Sequence, residues 1–524
     1  LPILNTEKAN DNNFASVQLD VRALLCLVIL VALLFLPVSL LVASGYADDG
    51  GYARILQYFL STGKVDLMHW SQPNTVGLLV LAAPMVSVSG FGFAQLDLIG
   101  ILYTIAVSIA TYLFARAYLS PAFSIAVASA LFCFSEITLV APTFMTDMPF
   151  LAYCAWWLYF TQKILSGSTN RLSIYTYWCV SLLLAVMTRS TIILFFPGIL
   201  IASVLCREHR KKLLLLSGLF VICVGITLVI NRWLVINPMG LLEVTSLKKI
   251  FVDHDWSMLD VRATAISTVS VLFAVAPLMI AMGAGPRTLR PIECVLTLFF
   301  FLLSSYLSTK GYFAFAPLMV LGCAISAFHL PTLMSKSFEV NRPLWVILVS
   351  SILCQISVMP IMAHPLTRHA IPVMLVMIFL CAMANFWNKK FLKIYVPLAA
   401  LLILYNVIAL QQVRLIQYGT WKLAEMLVSS GVKPENIDAG WAWFCYYGLE
   451  PGSFQKEGYR ERFRLWQKNA DFAITADDID GNNRAGYRTM SQVPFSYMWQ
   501  TKSLRILTVQ NSSVKNSLTV HPND

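Results

Sequence analysis

Apolar runs of about 20 residues recur along this chain, separated by short polar stretches. Each run is long enough to cross roughly 30 Å of hydrocarbon as a helix. Helix is the required form, because lipid offers no partner to bare backbone groups. The pattern predicts about 13 spans, near 21–43, 97–119, 121–141, 148–165, 172–188, 190–206, 213–235, 264–283, 292–308, 312–330, 343–362, 370–387 and 391–411. The stretch 74–90 is apolar but short, and Pro73, Gly77 and Pro84 bound or break it. It reads as a buried or re-entrant piece on the outer side. From about 412 the pattern turns soluble: 412–430 reads as a helix ended by Gly431, and 437–447, 471–475 and 503–509 read as strands. The fold class is therefore an α-helical polytopic membrane protein, with a membrane part over 1–411 and a small α/β domain over 412–524.

Two loops on the outer side stand out by length. The first, 44–96, carries apolar residues at Tyr52, Ile55, Leu56, Phe59 and Leu60, a helical spacing that predicts an amphipathic helix lying at the interface. The second, 236–263, has no periodicity and reads as a lid loop.

Composition agrees with the pattern. Hydrophobic residues make up 58% and charged residues 12%, against roughly 25% charged in an average soluble domain. Basic residues orient the spans. With the N-terminus in the cytoplasm, the inner loops hold Arg116, Lys163, Arg171, Arg207, Arg210, Lys211, Lys212, Arg287, Arg290, Lys336, Arg342, Lys389, Lys390 and Lys393. The net charge of +11 is then topology and contact with anionic lipids, and a nucleic-acid partner is not called for. An odd number of spans puts the C-terminal domain outside. Of the 11 cysteines, all but Cys445 fall in or beside spans, where cysteine behaves as a small hydrophobe. That pattern fits a bacterial inner membrane, with the outer side facing the periplasm.

Chemistry gathers at the outer span ends. Asp48-Asp49 follows the first span and Asp147 follows the third, so both sites lie on one side. Adjacent carboxylates at a low-dielectric wall repel, and one of the pair is pushed up unless a cation intervenes. Such a pair suits a general base or a metal site; the plain structural alternative is a solvated turn at a helix N-terminus. Asp147 precedes Met148-Pro149, which also suits a helix cap. Arg189, Lys310, Arg368 and His369 are cations at outer span ends, either snorkelling or forming a phosphate clamp. Glu136 lies near the outer end of its span, where a carboxyl is a functional candidate or a partner for an outer cation. Asp253-His254-Asp255 reads as a chance triplet in an exposed loop, and nothing local distinguishes His69 or His364. Walker A, dinucleotide and serine-elbow motifs are absent from the sequence, so ATP hydrolysis and nicotinamide chemistry are unsupported.

In order and spacing these pieces resemble the GT-C-fold glycosyltransferases of the protein O-mannosyltransferase and lipid A aminoarabinose transferase type. Asp48-Asp49-Gly50-Gly51-Tyr52-Ala53 matches the acidic pair and Tyr-Ala after the first span, and Thr146-Asp147-Met148-Pro149 matches the second acidic motif. Arg189 matches the basic residue ending the fifth span, and Arg368-His369 with Pro372 matches the last outer loop. One departure is Gln72, where the family carries lysine before Pro73. The resemblance implies an inverting glycosyltransferase that moves a sugar from a polyprenyl-phosphate (undecaprenyl-phosphate) carrier to an acceptor hydroxyl or phosphate of an envelope glycan, lipid or protein. It implies Asp48 as base, with Asp49 and Asp147 orienting the acceptor or holding a divalent cation (Mg or Mn). Arg189, Lys310, Arg368 and His369 would meet the donor phosphate, and Tyr52, Gln72 and Glu136 would lie close by. The rival class is a transporter or flippase of lipid-linked sugars. It shares the spans and the outer cations, but inverted repeats and helices broken at the midplane are not apparent in the sequence.

Overall fold

The computed structural model describes residues 9–67, 75–167, 172–236, 261–281, 298–300, 302–304, 316–359, 367–384, 389–448, 459–476, 487–497 and 500–509. Helices dominate them. Four are long and apolar enough to cross a membrane: Asp20–Leu41, Phe93–Arg116, Arg207–Leu234 and Tyr395–Ser429. Shorter apolar helices accompany them. The first helix, α1 (Ala9–Leu41), shows how the chain divides its faces. Ala23, Leu27, Val31 and Phe35 recur every fourth residue and are buried, whereas Val21, Leu25, Ile29 and Leu33 recur at the same spacing and are exposed. An apolar stripe facing outward as well as inward is what a lipid solvent requires.

The helix after the first span is α2 (Asp49–Thr62). Gly63 closes it in the left-handed region, φ +69°, a conformation glycine adopts without cost. Its N-terminal half is buried against the rest of the protein, Tyr52, Ala53, Ile55 and Leu56 included. The segment expected as a re-entrant piece includes a continuous helix, α3 (Val76–Ser89), with Pro84 inside it. A two-stranded parallel pairing joins β1 (Val65–Asp66) to β2 (Val235–Ile236). It ties the chain just after α2 to the start of the loop 236–263, most of which lies outside the described residues.

Helix α4 (Phe93–Arg116) is the central post, packed on α1, on α5 (Pro121–Ser129) and on α7 (Asp147–Leu165). The expected span 121–141 is not one helix. After α5 comes a 3-10 turn, Ala130–Cys133, and then a short α6 (Ser135–Val140). The physical reason is a buried amide from far along the chain. Asn406 donates to the carbonyls of Phe132 (3.0 Å) and Cys133 (3.2 Å), and Thr138 also donates to Phe132 (3.0 Å). Carbonyls freed by the break thus find protein partners, the condition for broken helix at membrane depth. Further along, α8 (Leu172–Val186) is followed by a 3-10 turn, Ser190–Phe195, that opens α9 (Phe196–Leu205). Then come α10 (Arg210–Leu234), α11 (Val261–Ala281), α12 (Ala316–Val340), α13 (Arg342–Val358) and the fully buried α14 (Ile371–Ala384).

Helix α15 (Lys389–Ser429) is one unbroken element of 41 residues. The sequence pattern had divided it into a span and a separate soluble helix near 411. Beyond it lies a four-stranded sheet in the order β3-β4-β6-β5, formed by β3 (Ile437–Asp438), β4 (Phe472–Ala476), β5 (Tyr487–Tyr497) and β6 (Gln500–Val509). β3 and β4 are parallel, and β6 pairs antiparallel with β4 and β5. The expected strand 437–447 is strand only at its start: after Gly440, at φ +87°, residues Trp441–Tyr447 turn into a helix, α16. Trp421 and Leu427 of α15 pack with Ile437, Trp443, Phe472 and Ile506 in a core of their own. A last helix, α17 (Tyr459–Asn469), sets Phe463 and Trp466 against Phe444 of α16.

Candidate active site

The site is built where α1 turns into α2. Ala47 holds φ at +48°, a region a side chain enters at a cost of about 1–2 kcal/mol. This bend delivers Asp48 and Asp49 in different directions. Asp48 stands at the cap position of α2, yet its side chain makes no capping hydrogen bond. Its Oδ2 is 2.5 Å from a guanidinium nitrogen of Arg368, and its Oδ1 accepts the indole N–H of Trp441 at 2.9 Å. A solvated turn would leave this carboxylate to water, but it is 7% exposed and held by two side chains distant in sequence.

Asp49 turns inward and is fully buried. It accepts the N–H of Tyr46 (3.2 Å) and faces Arg414 of α15 at 3.7 Å. Arg414 also pairs with Asp97 of α4 and donates to the Ser44 carbonyl (3.0 Å). One guanidinium therefore serves two buried carboxylates. Burial pushes the Asp49 carboxyl well above the usual carboxylate range; Arg414 opposes the shift, and Asp97 and Asp48 add to it. The carboxylate pair reaches Tyr46 as well: burial first, then Glu136 and Asp49, raise its phenol above the ordinary value.

Asp147 is placed by α4. A Cβ on Gly100 would lie 2.5 Å from the Thr143 carbonyl, and Thr104 donates to the Ala141 carbonyl at 3.0 Å. The turn leading into α7 thus lies directly on the backbone of α4. Thr146, not Asp147, takes the cap position of α7, and the Asp147 carboxylate pairs with Arg189 at 3.0 Å, almost wholly buried. Arg189 donates through Nε to Thr146 (3.1 Å), whose hydroxyl meets the Tyr52 hydroxyl at 3.2 Å. Burial and the charge of Asp48 raise the Tyr52 phenol above its ordinary value, so it stays protonated and serves as a hydrogen-bonding post. Arg368 and His369 come from the 3-10 turn Thr367–Ala370. Arg368 also reaches the Met145 sulfur at 3.4 Å, and the charges of Arg189 and Arg368 both bear on His369.

Of the residues singled out in the sequence, Asp48, Asp49, Tyr52, Asp147, Arg189, Arg368 and His369 thus come together, and the charge of Glu136 reaches Tyr46 beside them. Lys310 and Gln72 lie outside the described residues, as do His69, His364 and the Asp253-His254-Asp255 triplet. Sequence reasoning missed Asp97 and Arg414, and it weighed Trp441 only as an aromatic face for a sugar or a residue of a core strand, not as a donor to Asp48. Asp97 carried a usable signal, since an acidic residue inside a span is functional or paired by default. Arg414 carried none, because the pattern assigned it to a soluble helix.

No three His, Cys, Asp or Glu side chains converge on one point among the described residues. Asp49 and Asp147, the pair considered for a divalent cation, each face a guanidinium. A metal ion there would compete with those groups for the carboxylates.

Comparison with known proteins gives structural neighbours only. No family model matches the chain, and no curated protein does. Among solved structures the chain is similar to ArnT from Cupriavidus metallidurans bound to undecaprenyl phosphate, at 14% identity and a TM-score of 0.45, covering 92% of this chain and 97% of that one. It is also similar to the archaeal oligosaccharyltransferase AglB from Archaeoglobus fulgidus, in complex with an inhibitory peptide and a dolichol-phosphate, at 11% identity and a TM-score of 0.44, covering 95% of this chain and 75% of that one.

Proposed function

We propose that this chain is a membrane glycosyltransferase of the GT-C kind, moving a sugar from a polyprenyl-phosphate carrier to an acceptor at the outer face with inversion. The observation that carries the reading is the Asp48 carboxylate held between Arg368 and Trp441, with a second carboxylate–guanidinium pair, Asp147–Arg189, joined to α2 through Thr146 and Tyr52. A base and a phosphate clamp are the two parts this transfer needs, and here one guanidinium belongs to both.

In this reading the donor phosphate draws Arg368 away from Asp48. Oδ2 is then free to accept the proton of an acceptor hydroxyl, while Trp441 keeps Oδ1 in place. The acceptor oxygen attacks the anomeric carbon from the side opposite the phosphate. The carbon–oxygen bond to the carrier breaks, and the charge left on the phosphate is taken up by Arg368 and Arg189. Each proton and electron pair is accounted for by residues of this chain, and no step is routed through a metal. The acceptor is a hydroxyl or phosphate on an envelope glycan, lipid or protein. The site and the C-terminal domain face the periplasm of a bacterial inner membrane, and the carrier is undecaprenyl phosphate.

The test uses purified protein in nanodiscs with radiolabelled polyprenyl-phosphate sugars and a crude envelope acceptor extract. Wild type releases sugar from the carrier to acceptor and Asp48→Asn does not; an EDTA arm reads metal use. Intact donor bound equally by both proteins would overturn the reading in favour of a flippase.

A further inference from the structure

The basic loops of this chain frame a cavity that the proposed reaction does not use. It lies at the C-terminal end of α7, whose N-terminal residue is Asp147. A helix of 19 residues spans about 28 Å, so the cavity and the candidate active site stand at opposite ends of a membrane-length helix. Its volume is about 940 Å³. Among the described residues, Lys163, Arg207, His209 and Arg342 line it, against one acidic residue, Glu208.

Two of the cations are held in place. The Lys163 ammonium lies 5.6 Å from the ring centre of Tyr159, and the Arg342 guanidinium 5.4 Å from that of Phe338. Arg342 opens α13, whose first turn is capped by Asn341 accepting the N–H of Leu344 at 3.1 Å, so the positive end of a helix dipole also faces the cavity. Lys212 at the start of α10 donates to the Ile164 carbonyl at 3.0 Å, which fixes one wall to another. Gln162 lines the same space and is 4% exposed, with the Tyr118 hydroxyl, another lining group, beside its amide. Together they give the cavity neutral hydrogen-bonding groups next to its cations.

We propose that this cavity is a binding site for a phosphate group carried on the head of an anionic membrane lipid, with cations for the phosphate and the Gln162 and Tyr118 side chains for a hydroxyl of the head. The inference is independent of the transferase reading. A glycerol-type head supplies both the net negative charge and the hydroxyl donors; a choline head supplies neither.

The test is native mass spectrometry of the full chain after incubation with phosphatidylglycerol or phosphatidylcholine, alongside equilibrium dialysis with radiolabelled inorganic phosphate. Wild type retains phosphatidylglycerol preferentially, and Lys163→Gln/Arg342→Gln binds it roughly 30-fold more weakly. Arg207→Gln, at an exposed position, gives a smaller loss of the same kind and guards against misfolding of the double variant. Lys211→Gln, on the same face but outside the cavity, binds like wild type. Inorganic phosphate bound in place of lipid, with the same variant dependence, would assign the site to soluble phosphate. Equal retention of both lipids without phosphate binding, or wild-type retention by the double variant, would overturn the proposal.

Discussion

Trp441 donates its indole N–H to Asp48 at 2.9 Å, across 393 positions of sequence. The donor stands on α16 and the acceptor at the cap of α2. The contact is backed by a second tie between the same two helices, Gln57 to the Tyr446 hydroxyl at 2.8 Å. Helix α16 therefore supplies a positioning group to the carboxylate proposed as base.

Replacing Trp441 with Phe keeps the ring and removes the N–H. A hydrogen bond to a charged group contributes about 1.5–3 kcal/mol, so kcat for sugar transfer should fall at least about tenfold while the KM for donor holds. Trp441→His, which restores a ring N–H, should recover part of the loss. A loss equally deep in Trp441→His and Trp441→Phe would show that Trp441 acts other than by donating to Asp48.

Gly50 allows α2 and α16 to touch. A Cβ at that position would stand 2.1 Å from the Ala442 carbonyl oxygen, a backbone atom that cannot rotate away. Gly50→Ala should cost about 1–3 kcal/mol of stability and reproduce the kcat loss of Trp441→Phe, because α16 must retreat with its tryptophan. Thermal denaturation and transfer kinetics on the same preparation read both effects.

Arg368→Ala should be more damaging than either. It leaves the Asp48 carboxylate buried without its cation, a loss of about 3–5 kcal/mol, and removes one of the groups that meet the leaving phosphate. Transfer should fall about 100- to 1,000-fold, and Arg368→Lys should recover only part of it, since a single ammonium does not reproduce the planar fork. Full activity in Arg368→Lys would show that a point charge suffices at this position.

Asp49 gives a pH prediction. Its folded-state carboxyl titrates above the ordinary 3.8, mainly through burial. Folding then favours the protonated form, so its contribution is complete below the unfolded value and is lost as pH rises through the folded one. Melting temperature should therefore decline as pH is raised above the ordinary carboxylate range, and Asp49→Asn should flatten that slope. A slope unchanged in Asp49→Asn would assign it to another group.

The residues legible in the sequence share one property: each lies at the end of an apolar run, where a charge interrupts an otherwise continuous pattern. Asp48, Asp147, Arg189 and Arg368 stand out in this way, and the structure pairs them two by two. Periodicity located the helix bearing Tyr52 for the same reason. What stayed hidden was set by tertiary contacts. The break after Ser129 depends on Asn406, a polar residue whose target carbonyls are more than 270 positions away. The helix Trp441–Tyr447 looked like a strand because its aromatic residues fit either form; only its packing against α2 decides between them. Arg414 was masked because the hydrophobic run fades before it, although the helix does not.

That last helix has a mechanical consequence. Because α15 runs without interruption from Lys389 to Ser429, with Arg414 anchored to Asp49 and Asp97, the sheet beyond it is carried on a continuous helix rather than hung from a tether. The same anchor registers α15 to the start of α2, where Trp441 meets Asp48. Cutting the chain near 411 would sever a continuous helix rather than release a module, and a flexible linker spliced there should cost the Trp441–Asp48 contact.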